Sequence, residues 1–371
     1  MRVLHVSDTH LGHSAYRKVD EASGLNQREV DVYASFEEFV DRAIELSPDA
    51  VLHSGDLFDS VRPTNRALSF AIEQLMRLSY EGIPVVIIAG NHESPRLRET
   101  GSVLRVLEHI PGVHPVYKGG YELVEVGDLS VHAIPHCDQD PMREGLERLV
   151  PTGEYDVAML HAGVVGLGVF KMGEFNEALI NSSYLHSDMR YIALGHYHGC
   201  TQVEERAWYS GSTERFSFKE ANEQKGFLEV DLDRYRVEFH RLEAREMLDL
   251  PPIEAKRMGG AELSEAVRQA LEEQDLEGRI VRLTAREVSA AAYKGLDFRN
   301  IADWASGALH LERRFEVVHR GGSVQWSDAA IGPLEQEYAL FLERYPVEGV
   351  DKDRIGELGA EYIRRGVGES D

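Results

Sequence analysis

Two cysteines in 371 residues, Cys137 and Cys200, cannot build a disulfide framework and lack the Cys-x-x-Cys spacing of a zinc or redox site. Both read as free thiols. Long apolar runs are missing too. Stretches such as Val85 to Ala89 and Val157 to Leu160 fall far short of the roughly 20 residues of a membrane span, so a soluble chain without membrane association is expected. Met1 leads straight into an apolar strand pattern with no secretory signal before it, which predicts a cytoplasmic location. Positive charge is scarce: 40 Lys and Arg stand against 64 Asp and Glu, and the net charge of −24 repels nucleic acid unless cations are supplied locally. Only eight of the basic residues are lysine, which suits either an acidic surface in a high-salt cytoplasm or a GC-rich genome favouring Arg codons.

What is present is an ordinary globular balance, 43% hydrophobic and 28% charged, at a length that predicts two domains with a remainder. Short apolar runs at Val3 to Val6, Ala50 to Leu52, Val85 to Ala89, Val157 to Leu160 and Tyr191 to Leu194 read as buried strands. Val30 to Leu46 and Asn65 to Leu78 carry apolar residues at helical spacing, giving an α/β layered pattern. Gly127-Asp128 between two alternating runs predicts a hairpin, and Gly226 to Leu232 with Val237 to Leu242 predicts two closing antiparallel strands. Pro251-Pro252 marks a boundary. The expected division is residues 1–245, a smaller α+β unit at 246–325, and a helical tail at 326–371. In the second unit, Ile280 to Leu283 and Phe315 to Val318 read as strands, and Leu263 to Leu271 and Ile301 to Leu309 as helices. In the tail, Leu334, Tyr338, Phe341 and Leu342, then Ile355, Leu358, Tyr362 and Ile363, give two amphipathic faces that seek a partner or pack back on the main body.

The chemistry sits at the strand ends. Asp8 and His10, then Asp56, Asn91 and His92, His161, and finally His196 and His198 closely follow the five buried strands. Ligands of open α/β sheets gather at the carboxyl ends of strands, which brings these residues to one edge. Seven donors of carboxylate, amide and imidazole type, Asp8, His10, Asp56, Asn91, His161, His196 and His198, are too many for one tetrahedral zinc and suit two metals. With Asp56 bridging, one ion takes Asp8, His10 and His198, and the other Asn91, His161 and His196. Two divalent ions about 3.5–4 Å apart activate a water and stabilise the attacking and leaving oxygens of an in-line displacement at phosphorus. Oxygen and nitrogen donors accept manganese, iron or zinc.

His92 has no ion left to bind and is assigned to the leaving-group oxygen as proton donor or charge stabiliser. Asp59 either holds His92 as imidazolium or caps the turn before Arg62-Pro63. His13 lies near enough to the first motif to touch substrate. Ser212 and Arg215, in the run from Gly211, either contact phosphate or belong to a plain turn. His5 and His53, within strands, read as core residues or as supports behind the ligands.

Written out, Asp8-Thr9-His10-Leu11-Gly12, Gly55-Asp56-Leu57-Phe58-Asp59, Gly90-Asn91-His92-Glu93, His161-Ala162-Gly163 and Gly195-His196-Tyr197-His198 resemble the calcineurin-like metallophosphoesterase signature. Asn26-Gln27-Arg28-Glu29, Gly211-Ser212-Thr213-Glu214-Arg215, Phe218 and Lys225-Gly226 bring the chain nearest to the Mre-eleven/SbcD nucleases of double-strand break repair. That resemblance implies a four-layer metallophosphoesterase β-sandwich flanked by helices, a DNA-capping α+β domain, and a C-terminal segment that binds a coiled-coil ATPase of the Rad-fifty/SbcC type. It implies two manganese ions per chain, 3′-to-5′ exonuclease action on duplex DNA ends, endonuclease action on single strands, and a homodimer formed through helices of the nuclease domain. Many archaeal and eukaryotic members carry His where this chain has Asp59, while bacterial-type members carry Asp, so a role attributed to that His does not transfer. A small-molecule phosphodiesterase or phosphatase would share the metal ligands but has no need of the long C-terminal extension. A catalytically silent scaffold of the same fold would be expected to have lost ligands, and none is missing.

Overall fold

Branched aliphatic side chains fill β1 (Arg2–Val6), β2 (Ala50–His53), β3 (Val85–Ile88) and β4 (Val113–Val116), and in the computed structural model these strands run parallel in that order. The structure describes residues 1–94, 101–165, 178–185, 188–318, 338, 354–356 and 358–359. β5 (Glu122–Val126) and β6 (Leu129–Ile134) form the hairpin expected at Gly127, which turns with φ 57°. β7 (Tyr155–His161) lies parallel to β6, while β8 (Gly163–Val165) and β9 (Leu179–Asn181) form a small separate ladder. β10 (Tyr191–Gly195), β11 (Thr201–Glu204) and β12 (Ala207–Tyr209) complete a second six-stranded sheet, ordered β11-β12-β10-β7-β6-β5. β13 (Gly226–Asp231) and β14 (Arg236–Arg241) then return to the first sheet, with β13 antiparallel to β1.

The period-two alternation of strands divides the core between layers. Leu4, Val6, Val51, Val85 and Ile87 face α1 (Gln27–Leu46) and α2 (Asn65–Tyr80), packing on Val32, Phe36, Phe39, Ala71 and Leu75. Val3, Leu52, Val86 and Ile88 face the other way and meet Val131, Val157 and Met159 of the second sheet. On that sheet's far side, Leu160, Ile192 and Leu194 pack with Met142 and Leu146 of α3 (Gln139–Glu147). The result is the helix-sheet-sheet-helix layering expected of this fold. Asn26 caps α1 by accepting from the Arg28 amide at 2.9 Å and also donates to Ala15 O at 2.8 Å, which fixes the long loop between the first ligand motif and the helix.

Beyond Leu242 the chain builds a smaller sheet with a core of its own. β15 (Met247–Asp249) and β16 (Ile253–Glu254) pair with successive parts of β17 (Ile280–Ser289), and β18 (His310–Val318) pairs along most of β17, all parallel. Leu263, Val267 and Leu271 of α4 (Gly260–Glu272) close that core with Ala292 of α5 (Ala290–Lys294) and Ile301 of α6 (Phe298–Trp304). Both long strands exceed the apolar runs that mark them in the sequence. The second expected helix ends early, at Trp304, and the chain enters β18 at His310. The two tail helices expected at 326–371 lie outside the described residues apart from 338, 354–356 and 358–359. Among the described residues, no helix is long and apolar enough to cross a membrane.

Candidate metal centre

The carboxyl ends of β1, β2 and β3 meet those of β7 and β10, and backbone bonds hold the intervening loops together: Asp8 N donates to Gly55 O at 3.0 Å and His10 N to Asp56 O at 3.0 Å. Side chains turn inward there only because the backbone bends sharply. Asp8 (φ 52°), His10 (φ 46°), Asp56 (φ 53°) and His196 (φ 99°) all occupy the left-handed region that L-residues avoid, a strain the surrounding packing must hold in place. Two glycines permit the approach. A Cβ on Gly195 would stand 1.9 Å from Ser54 O, and one on Gly90 would stand 2.0 Å from Asp56 Oδ1.

All seven expected ligands come together, in two groups. His10 Nε2 and His198 Nε2 are 3.3 Å apart, and their ligand atoms lie within 4.8 Å of an Asp8 carboxylate oxygen. Asn91 Oδ1 lies 3.0 Å from His161 Nε2 and 3.1 Å from His196 Nδ1. Asp56 Oδ2 stands between the groups, 3.4 Å from His161 Nε2 and 3.9 Å from His10 Nε2.

The donor set has the chemistry of a cation site. Outer partners hold the Nδ1 side of two imidazoles and leave Nε2 facing the centre: His161 donates to Ser54 O at 2.8 Å and His198 meets Glu220 Oε1 at 3.3 Å, while His10 Nδ1 lies 3.4 Å from Asp59 Oδ1 without a hydrogen bond. Two Nε2 atoms 3.3 Å apart then require a shared proton or a cation between them. Burial works against charge on His161, but Asp56 and Asp8 outweigh it and hold the ring up to about 9. Burial likewise opposes charge on His198, and Glu220 outweighs it, again to about 9. Below that range protons occupy the places a cation would take, so a divalent ion must displace them. Binding of a divalent cation near neutral pH is therefore expected to release protons and to tighten as pH rises towards 9. Calorimetry in buffers of different ionisation enthalpy reads this directly, and an affinity that does not change with pH would contradict it.

His92 approaches the centre from the side, its ring 4.7 Å from that of His10 and its backbone N donating to Asp56 Oδ1 at 2.9 Å. Burial opposes its protonation, but Asp56 and the Asp59 carbonyl outweigh this and hold its pKa above the ordinary imidazole value. The expected Asp59–His92 pair takes a different form. His92 Nδ1 donates to the backbone carbonyl of Asp59 at 2.9 Å, while the Asp59 carboxylate contacts His10 and, at 3.3 Å, His13 Nδ1. The turn after β2 aims the carbonyl, not the side chain, at His92. His13 keeps 21% side-chain exposure beside the centre.

Ser212 and Arg215 do not face it. Ser212 is wholly buried and donates to Glu214 O at 2.7 Å, and the Arg215 guanidinium donates to Glu223 O at 2.7 Å and Arg245 O at 3.1 Å. Both support loops. His5 bonds Tyr191 OH at 2.8 Å and His53 bonds Thr9 Oγ1 at 3.1 Å; burial pushes them down to about 3 and about 4, leaving neutral core rings.

Sequence reasoning gave no role to Glu93, Phe216 or Glu220. Glu93 is fully buried and accepts from Phe58 N at 2.7 Å and Gly90 N at 2.8 Å, joining the loops that carry Asp56 and Asn91. Burial and the nearby Asp56 push its carboxyl up to about 8. Its position directly after Asn91-His92 was the available signal. Phe216 sets its ring edge-to-face against His10 at 4.8 Å, His13 at 4.9 Å and His198 at 5.3 Å, walling one side of the centre.

The chain matches the calcineurin-like phosphoesterase family over residues 1–200. The DNA double-strand break repair protein Mre11 of Sulfurisphaera tokodaii is 34% identical to it over 199 residues, 53% of this chain and 49% of that protein. The Mre11 protein of Methanopyrus kandleri is 28% identical over 383 residues, covering 96% of this chain and 78% of its own. That of Methanocaldococcus jannaschii is 30% identical over 272 residues, covering 67% and 69%. Against the first of these relatives the chain spans about half the length. The family match over the ligand-bearing strands and the likeness that runs on through the second sheet place this chain in the calcineurin-like phosphoesterase family, among the Mre11 proteins.

Proposed function

We propose that this chain is a nuclease that hydrolyses DNA phosphodiesters as part of a double-strand break repair complex. The observation that carries the proposal is the pair of donor groups sharing Asp56: Asp8, His10 and His198 on one side, Asn91, His161 and His196 on the other. The relatives' shared naming as DNA double-strand break repair proteins supports DNA as the substrate. Two divalent cations, manganese in this reading, supply positive charge to the scissile phosphate and activate a water when bound.

The protein's own residues do the rest. Asp56 fixes the spacing of the two groups, and the Asp59 carboxylate steadies His10 and His13. The Asp59 carbonyl fixes His92 Nδ1 so that Nε2 presents a proton to the leaving oxygen. His13, partly exposed beside the centre, meets the substrate backbone. His92→Asn is expected to lower kcat by about 10²–10⁴-fold, the usual worth of a positioned general acid, with manganese affinity unchanged. A variant with wild-type kcat would remove His92 from the chemistry.

The finer reading follows the same family. It comprises 3′-to-5′ exonuclease action on duplex ends and endonuclease action on single strands. The unit at 246–325 grips DNA, and residues 326–371 bind a coiled-coil ATPase of the Rad-fifty/SbcC type. A homodimer forms through α1 or α2, and the cytoplasm is the site of action. The net charge of −24 makes DNA affinity depend on the bound cations and on the partner. The test is incubation of the purified chain with manganese and end-labelled duplex and single-stranded DNA, with cyclic nucleotides alongside. Metal-dependent shortening of DNA is the expected result. Cleavage of the small diesters with DNA left intact would overturn the proposal in favour of a small-molecule phosphodiesterase.

A further inference from the structure

His198 is more exposed than the imidazoles of His10 and His161. Its side chain is 24% exposed, whereas that of His10 is 4% and that of His161 is 0%, and packing against Phe216 alone does not fix its ring. A buried polar device does. Glu220, on the short turn Phe218–Glu220, meets His198 Nδ1 through Oε1 at 3.3 Å, and the same oxygen accepts from Ser217 Oγ at 3.0 Å. Its other oxygen accepts from Lys225 Nζ at 2.7 Å. Lys225 is 1% exposed, and its ammonium also reaches His198 O at 2.9 Å, Ser212 Oγ at 3.0 Å and Glu223 Oε2 at 2.9 Å.

A lysine this deep is expensive to desolvate, and a buried ion pair adds little stability over apolar residues of similar volume. What the ammonium does here is specific. It grips His198 at both ends, directly at the backbone carbonyl and through Glu220 at the ring. The carbonyl also accepts from Ser212 N at 3.0 Å, so neither backbone nor ring is free to turn.

We propose that Lys225 and Glu220 act together as a positioning pair that fixes His198 with Nδ1 occupied and Nε2 directed at one of the two cation positions. The pair acts through His198 and touches neither substrate nor cation. This rests on the two-cation reading of the site. The pair serves the cation position shared by Asp8, His10 and His198 and leaves the other to Asn91, His161 and His196.

The test is calorimetric titration of the full chain with manganese, with His198→Ala marking the step that belongs to His198. Glu220→Ala is expected to weaken that step by about 10–100-fold, the usual effect of removing an outer partner of a ligating histidine, and to leave the other step within about twofold. Lys225→Met should weaken the same step. Glu220→Gln keeps the shape and an acceptor oxygen, and should recover most of the affinity. Should Glu220→Ala not fold, Lys225→Met decides: wild-type affinity for the His198 step in that variant overturns the proposal. Equal weakening of both steps also overturns it, because that is what a general structural role would give. A wild-type chain that takes up no manganese at all overturns the two-cation reading itself, which separates that failure from this one.

Discussion

Asp56→Asn is expected to lower phosphodiester hydrolysis by about a thousandfold, the scale of losing a preorganised electrostatic group from a water-excluded site. Asp56 Oδ2 lies near both donor groups, 3.4 Å from His161 Nε2 and 3.9 Å from His10 Nε2. Burial pushes its carboxyl up, but His161, His10 and His92 outweigh this and hold it ionised well below the usual carboxylate range. The substitution therefore removes a full charge at neutral pH while keeping the shape. If an amide nitrogen replaces Oδ2, it points a donor at two imidazoles that need an anion or a lone pair. Hydrolysis of bis-p-nitrophenyl phosphate with manganese, wild type against variant, measures the effect. A loss smaller than about tenfold would contradict the bridging role assigned to Asp56.

Arg28→Met is expected to cost about 3–5 kcal/mol of folding stability, because it leaves buried carboxylates short of their cation. Arg28 is 1% exposed. Its guanidinium donates to Asp31 at 2.7 Å and to Arg215 O at 2.6 Å, and pairs with Glu214 at 3.3 Å. Arg245 shares Asp31 and reaches across to Gly278 O of the second sheet unit at 3.1 Å. The cluster thus ties the start of α1 to the loop after β12 and to the smaller sheet. Urea unfolding followed by tryptophan fluorescence reads the loss, and a change under about 1 kcal/mol would show that Arg245 alone satisfies both carboxylates. The same loop carries Ser212, whose amide supports the His198 carbonyl, so weaker manganese binding should accompany the loss of stability.

The convergence of the candidate donors was legible in the sequence because its signal is chemical and local. Asp, Asn and His recur directly after apolar runs, and the layered fold sends every such strand end to one edge. Atom-level partners were not legible. The spacing of Asp59 from Asp56 brings it beside His92, but spacing does not say whether carbonyl or carboxylate faces the ring, and the structure chooses the carbonyl. Ser212 and Arg215 carry the groups a phosphate site uses, yet burial and carbonyl partners commit both to the scaffold. Glu220 and Lys225 reach His198 across 22 and 27 residues, a separation no local pattern reveals. In the smaller sheet, Thr284, Arg286 and Glu287 interrupt the apolar run of β17 beyond Leu283, and the register shifts between Ala285 and Val288, so a ten-residue strand reads as a four-residue one.

The central claim is that two cations share Asp56. Anomalous diffraction at the manganese edge, from crystals of the full chain soaked in manganese, tests it most directly. The account predicts two peaks flanking Asp56, one among Asp8, His10 and His198 and the other among Asn91, His161 and His196. A single peak, or none within reach of Asp56, would contradict it.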